Sequence, residues 1–341
     1  MQCSWYELEV ASCLEKKEQW GRSLKKYTAI VKHFEDIVED QFDFHSYCLR
    51  KVTLRSYVSM LRFEDEVYGQ HYYCRAAAGL IRIYIGLHDN PLQDVNAEPD
   101  YSKMTAAERK KAKAIARKKK KASEKEAPAK GGGSKNAEPA DNGNQKLHEV
   151  QKDPDGKGLL KLDVLEEARR YSDVLVRFAP HRVETWLLRY DVAVRRKKAT
   201  MALQALHKAK LLSPLNNDLL GRLVDFSQRS FELSGVVKTV VEVETLTLWE
   251  GATVQDHVKE LIKMISNETS LLQRVALCEA AVRLQLASAA DAAKWITEGG
   301  IDAHGVTPET CRAASKSLES LHVSTDGWKT QVKTRFPRLQ L

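Results

Sequence analysis

The stretch Glu184–Pro214, ETWLLRYDVAVRRKKATMALQALHKAKLLSP, decides the fold. Trp186, Ala202, Leu206, Ala209 and Pro214 stand at the spacing of the tetratricopeptide unit of about 34 residues. Small residues let two paired helices approach, and large ones fill the gaps between pairs. Arg189 and Tyr190 depart from the pattern. Any helical hairpin bundle shares this periodicity, so neighbouring pairs have to be sought on either side.

Downstream, helical spacing predicts Asn217–Phe231, Gly235–Trp249, Val254–Ile265, Leu271–Leu286, Ser288–Thr297, Pro308–Leu321 and a last segment reaching Phe336-Pro337. Ser234, Ser288 and Thr307-Pro308 read as start signals. Upstream, Leu162, Leu165, Ala168, Tyr171, Leu175 and Phe178 form one apolar stripe, ended by Pro180. Further back the spacing predicts helices over Trp5–Lys17, Arg22–Ile37 and Tyr72–Leu87. The last of these is stopped by His88-Asp89-Asn90-Pro91. Ala11, Trp20, Ser23, Tyr27 and Ile30 repeat the unit loosely. The fold class is therefore all-α: tetratricopeptide-like helical hairpin repeats, an α-solenoid, interrupted by a basic disordered linker. The expected division is 1–91, a linker over 92–158, and a second helical region over 159–341.

The charge is concentrated. The net charge is +8, yet residues 100–150 alone hold 14 Lys and Arg against 7 Asp and Glu. Within them ERKKAKAIARKKKKASEKE is followed by APAKGGGSKNAEPADNGNQ, which reads as flexible and solvated. The nine cations Arg109, Lys110, Lys111, Lys113, Arg117, Lys118, Lys119, Lys120 and Lys121 suit phosphates in a salt-dependent, sequence-independent way. A nuclear localisation run and a merely solubilising tether share this composition. The six cysteines form no C-x-x-C pair and read as reduced thiols. No signal peptide and no membrane span is visible. Met1 falls where a helix is already under way, which reads as a segment of something longer.

No phosphate loop, nucleophile elbow, zinc spacing or acetyl-CoA-binding turn occurs, so no catalytic residue is assigned. The chemistry-bearing stretch is Gln41–Val58, QFDFHSYCLRKVTLRSYV. It concentrates Phe42, Phe44, Tyr47 and Tyr57 with His45, Arg50, Lys51 and Arg55. Asp40–Asp43 is expected as a turn. One helix from His45 onward is expected to place Tyr47, Leu54, Val58 and Leu61 on a packing face and the cations elsewhere. Aromatics and arginine are the residues of protein interfaces, although a core helix with a solvated side reads the same way. Arg22, Lys25, Lys26 and Lys32 lie near one face of the preceding helix. They suit a polyanion or simply water.

Gln41–Val58, the helix after it, LHDNP at Leu87–Pro91, the Lys-rich insertion and NETSLLQRVALCEAAVRL at Asn267–Leu284 together resemble the auxiliary subunit of the N-terminal acetyltransferase A complex. The resemblance covers nearly the whole chain, but only the second half of the family's length. It implies a non-catalytic, cytoplasmic, ribosome-associated solenoid that wraps a separate catalytic acetyltransferase. It further implies that acetyl-CoA sits on that partner, and that this chain binds no cofactor unless an inositol phosphate lies at the interface. It implies a small regulatory inhibitor and no membrane. Carried onto this sequence, partner contact falls on Phe42, Phe44, His45, Tyr47, Arg50, Lys51, Leu54, Arg55 and Tyr57. The inositol phosphate falls on Arg22, Lys25 and Lys26, and ribosome contact on Arg109 to Lys121.

Overall fold

A computed structural model describes residues 3–39, 41–92, 153–214, 216–249, 251–266 and 268–340. Among them every regular element is helical. Before the linker stand α1 (Ser4–Lys16), α2 (Trp20–Glu39), α3 (Gln41–Lys51), α4 (Leu54–Asp65) and α5 (His71–Asp89). After it come α6 (Val164–Phe178), α7 (Val183–Arg195), α8 (Ala199–Leu212), α9 (Asn217–Gln228), α10 (Gly235–Leu248) and α11 (Val254–Lys263). The chain continues through α12 (Leu271–Arg283), α13 (Ala289–Thr297), α14 (Pro308–Ser320) and α15 (Asp326–Arg335). Arg109–Lys121 and Gly131–Gly133 lie outside the described residues.

One turn recurs. Glu18, Val52, Lys197, Gln285 and His322 all take positive φ, between 55° and 57°. In each case the next residue's N–H returns to a carbonyl five residues back. Gln19 reaches Leu14, Thr53 reaches Cys48, Lys198 reaches Ala193, Leu286 reaches Ala281 and Val323 reaches Leu318. This is the helix-ending turn usually made with glycine, because a side chain there costs about 1 kcal/mol or more. Here it joins α1 to α2, α3 to α4, α7 to α8, α12 to α13 and α14 to α15. Reuse of one turn is what makes these pairs repeats.

Three cores follow each other along the chain. The first joins α1, α2 and α5 to α6 and to Leu188 and Val192 of α7. The second takes the other faces of α7, with Trp186, Tyr190 and Val194, and runs to Leu277 and Ala280 of α12. The third takes Leu271, Val275 and Cys278 of α12 and closes on Trp328 and Val332. A helix that divides its faces between two cores is the mark of a quasi-one-dimensional stack. The first core is built from both sides of the linker: Tyr84 of α5 stacks on Tyr171 of α6, with centroids 6.5 Å apart.

The returning chain is pinned at Gly156, which has φ +68. A Cβ there would stand 2.1 Å from the Gly21 carbonyl oxygen at the start of α2. Gly156→Ala is therefore expected to cost about 2 to 4 kcal/mol, from strain and backbone collision together. A denaturant midpoint that fell by less than the equivalent of 1 kcal/mol would show that the close approach relaxes freely.

Four local expectations are corrected. The helix expected to run from His45 to Leu61 is two helices, because Val52 turns the chain. Gln41–Asp43 is already helical rather than a turn. α6 begins at Val164, because the Asp163 carboxylate accepts the N–H groups of Leu165 and Glu166, so Leu162 stands outside the stripe. Ser288 and Thr307 cap their helices, but Ser234 makes no cap bond. Of the cysteines, Cys48, Cys74, Cys278 and Cys311 are buried, while Cys13 is exposed.

Candidate partner interface

Among the described side chains of α3 and α4, little apolar surface is covered. Cys48 anchors α3 inward. No residue of α4 is buried. Tyr47, Leu54 and Val58 are 48%, 51% and 43% exposed, so the face expected to pack inward is turned to solvent. Val52, Met60 and Phe63 extend it, although the sequence reading did not single them out. The signal of Met60 and Phe63 was present: with Leu54, Val58 and Leu61 they make α4 apolar over more of its circumference than one packing face needs.

Two features fix the shape of this face. His45 of α3 meets the Tyr57 hydroxyl of α4 through Nδ1 at 2.5 Å, with the rings edge-on, so both side chains act as a clasp between the helices. Val52 then turns the chain between α3 and α4 in the left-handed conformation, rare for a β-branched residue, that the other four helix pairs also use. Around the apolar patch Arg50, Lys51, Arg55 and Arg62 are exposed and have no carboxylate partner among the described residues. Phe42 and Phe44 belong to the first turn of α3, and their side chains lie outside what the structure describes. The result is a preformed surface of aliphatic, aromatic and unpaired cationic groups. Surfaces of that kind mark protein contact sites.

The cluster on α2 meets something else. The Lys25 ammonium donates to the Asp153 carbonyl at 2.7 Å, and the Arg22 guanidinium lies 3.8 Å from the Asp155 carboxylate. Asp153 in turn accepts the N–H groups of Gly158 and Lys157, which hold its carboxyl below the usual range. Two of the three residues expected to hold a polyanion are thus engaged by the chain as it returns from the linker.

A profile of the family described as N-terminal acetyltransferase A, auxiliary subunit, matches residues 1–209. The chain belongs to that family. The Arabidopsis thaliana N-terminal acetyltransferase A complex auxiliary subunit NAA15 is 35% identical over 313 residues, 87% of this chain and 34% of the relative. Mus musculus N-alpha-acetyltransferase 16, NatA auxiliary subunit, is 44% identical over 113 residues, 33% of this chain and 13% of the relative. A solved structure of Naa15/Naa10 bound to HypK-THB shares the fold. Its TM-score is 0.52 at 22% identity, covering 72% of this chain and 29% of that one. This auxiliary-subunit chain therefore spans about a third of the Arabidopsis relative.

The auxiliary-subunit chain also carries a ladder of Asp–Arg bridges from helix to helix, and its rungs from Asp191 to Arg283 line a groove of about 800 Å³. Asp89 at the end of α5 receives Arg195 of α7 at 2.8 and 2.5 Å. Asp191 of α7 receives Arg222 of α9 at 3.0 and 2.6 Å. Asp225 of α9 accepts from Tyr190 of α7 at 2.7 Å and from Arg283 of α12 at 3.4 Å. Burial pushes the Asp191 carboxyl up. Burial acts the same way on Asp225, but the hydrogen bonds from Arg229 and Tyr190 outweigh it and hold that carboxyl low. The ladder ties successive repeats and so sets how α5, α7, α9 and α12 are stacked.

Asp89 gives the ladder a pH signature. The Arg195 hydrogen bonds depress its carboxyl to about 2. A depressed folded-state value means the bridge stabilises fully above the unfolded value near ~4, and the effect is lost as pH falls towards 2. The pair is partly exposed, so screening limits the gain to about 1 kcal/mol. Asp89→Asn is expected to lower stability by that amount at pH 7, and by progressively less as pH falls from about 4 through 2. A pH-independent difference in urea midpoints would assign the loss to packing instead.

Among the described residues no three His, Cys, Asp or Glu are grouped to hold a metal ion, and no helix is long and apolar enough to cross a membrane.

Proposed function

We propose that this chain is a non-catalytic scaffold of an N-terminal α-acetyltransferase complex. It holds a separate catalytic subunit on the α3–α4 face and raises that subunit's activity. It helps dock the complex on ribosomes, in the cytoplasm, so that nascent chains are acetylated as they emerge. The single observation that carries this reading is the α3–α4 surface itself: apolar, aromatic, clasped rigid by His45 and Tyr57, and ringed by unpaired cations. Family membership supports the reading. The solved neighbour holds Naa15 with Naa10 and HypK-THB, which supports more than one protein partner; the second is proposed to be a small regulatory inhibitor. Acetyl-CoA belongs to the catalytic subunit. An inositol phosphate at Arg22, Lys25 and Lys26 has to displace the Asp153–Asp155 loop, with Lys26 the first cation available to it.

The test is co-expression with the catalytic acetyltransferase subunit, size-exclusion chromatography and assay of the co-eluting fraction. Co-elution with raised turnover supports the reading. A folded, helical chain that never co-elutes overturns it.

A second reading, a ribosome- or RNA-binding protein acting through its basic segment, is favoured by the concentration of the net positive charge in residues 100–150. Each phosphate neutralised on a duplex contributes about −0.9 to the slope of log K against log salt. Deleting Arg109–Lys121 is expected to flatten that slope by roughly 5 while leaving co-elution with the catalytic subunit intact. Ribosome binding with an unchanged slope would place the contact elsewhere.

A further inference from the structure

Helix α10 is held against the preference of its own sequence. Of its fourteen residues, GVVKTVVEVETLTL, eight are β-branched: Val236, Val237, Thr239, Val240, Val241, Val243, Thr245 and Thr247. Such residues lose side-chain freedom in a helix and gain packing in a strand. Ser234 makes no cap bond, the first turn has no acidic residue and the last has no basic one. By contrast α9, α11, α12, α13 and α14 each carry a side-chain N-cap. The hydroxyls of Thr245 and Thr247 return to the carbonyls of Val241 and Val243 at 2.6 and 3.1 Å, a habit that bends helices.

Tertiary support is thin as well. Only Val241 and Leu248 are buried in α10. Val236, Val243 and Leu246 are 79%, 54% and 60% exposed. Two bonds from α8, His207 to the Glu244 carbonyl and Lys210 to the Leu248 carbonyl, hold the C-terminal half.

With a period of two instead, the same residues make a strand. Val237, Thr239, Val241, Val243, Thr245 and Thr247 share one face, and every one is β-branched. The other face carries Lys238, Glu242 and Glu244. Antiparallel pairing of two copies centred on Val240 sets Lys238 of each opposite Glu242 of the other. Parallel in-register pairing would set Glu242 and Glu244 against their own kind. The charges therefore choose the antiparallel arrangement.

We propose that residues 236–248 open ahead of the rest of the solenoid and that residues 236–244 then pair, as an antiparallel strand, with the same residues of a second copy of this chain.

Hydrogen exchange and light scattering on the full chain, warmed below its unfolding transition, test this. Amides of α10 are expected to exchange at least about tenfold faster than those of α8 and α12, with association that rises with concentration and brings infrared absorbance of β-structure. Thr239→Ala/Val240→Ala/Val243→Ala changes only exposed side chains. It is expected to slow α10 exchange about tenfold through helix propensity and to suppress association. Lys238→Glu is expected to abolish association by placing like charges opposite each other while α10 still opens. Adding Glu242→Lys is expected to restore it. Protection of α10 equal to that of α8 overturns the first step. A wild-type chain that never associates overturns the pairing. So do association unmoved by Lys238→Glu and a double variant that fails to recover.

Discussion

Replacing Leu54 and Val58 by aspartate is expected to abolish co-elution with the catalytic acetyltransferase subunit while moving the melting temperature of the chain by less than about 2 °C. The two halves come from different observations. α4 contributes no buried residue, so substitutions on its exposed face fall among surface changes worth about 0.5 kcal/mol or less. At the proposed interface the same carboxylates would be desolvated beneath a partner. A buried unpaired charge costs about 2 to 5 kcal/mol. Two of them weaken binding by at least about a thousandfold, beyond what survives chromatography. Tyr47→Ala with Arg50→Ala is the milder companion, expected to weaken binding by about a hundredfold through lost contact alone. Loss of binding together with a fall in melting temperature would mean that α4 packs on the solenoid and that the face is structural. Retained binding would move the contact off α3 and α4.

That prediction depends on something the sequence did not display. The composition of Gln41–Val58 marked it as interface-like, and the structure shows which groups of it lie on the surface. The helix boundary inside it was hidden. Helix-ending turns are recognised by glycine, and the five that recur here use Glu18, Val52, Lys197, Gln285 and His322. Nothing local distinguishes them from residues that continue a helix, because the turn is imposed by the packing of each pair. The stripes were legible wherever a helix buries one face: Tyr73, Ala76, Ala77, Leu80, Ile83, Tyr84 and Leu87 are all buried as their spacing implies. Division of the helices at the linker was the natural reading of the charge, yet α5 and α6 share a core across it. The insertion carries no apolar periodicity and so says nothing about which helices meet on either side.

Arg274 supplies the other large effect. It is 4% exposed, yet among the described residues no carboxylate faces it. Its guanidinium instead donates to four backbone carbonyls, those of Ser266 at 2.9 Å, Thr269 at 3.4 Å, Trp295 at 3.0 Å and Glu298 at 3.3 Å. The first two belong to the loop entering α12. The others end α13, where the helix dipole is negative and the last carbonyls have no partner of their own. One cation therefore closes a loop and caps a helix. Arg274→Leu keeps the apolar stem but takes the donor from four carbonyls around a buried side chain, an expected loss of about 3 to 4 kcal/mol and a fall of about 10 °C in melting temperature. Arg274→Lys, a point charge without the planar fork, is expected to recover about half. Because the stack is quasi-one-dimensional, the damage should be local. Hydrogen exchange should quicken in α13 to α15 and stay unchanged in α1 to α6. Uniformly faster exchange would instead mean that the three cores melt as one unit, in which case the ladder from Asp89 to Arg283, rather than neighbour-to-neighbour packing, sets the cooperativity of the solenoid.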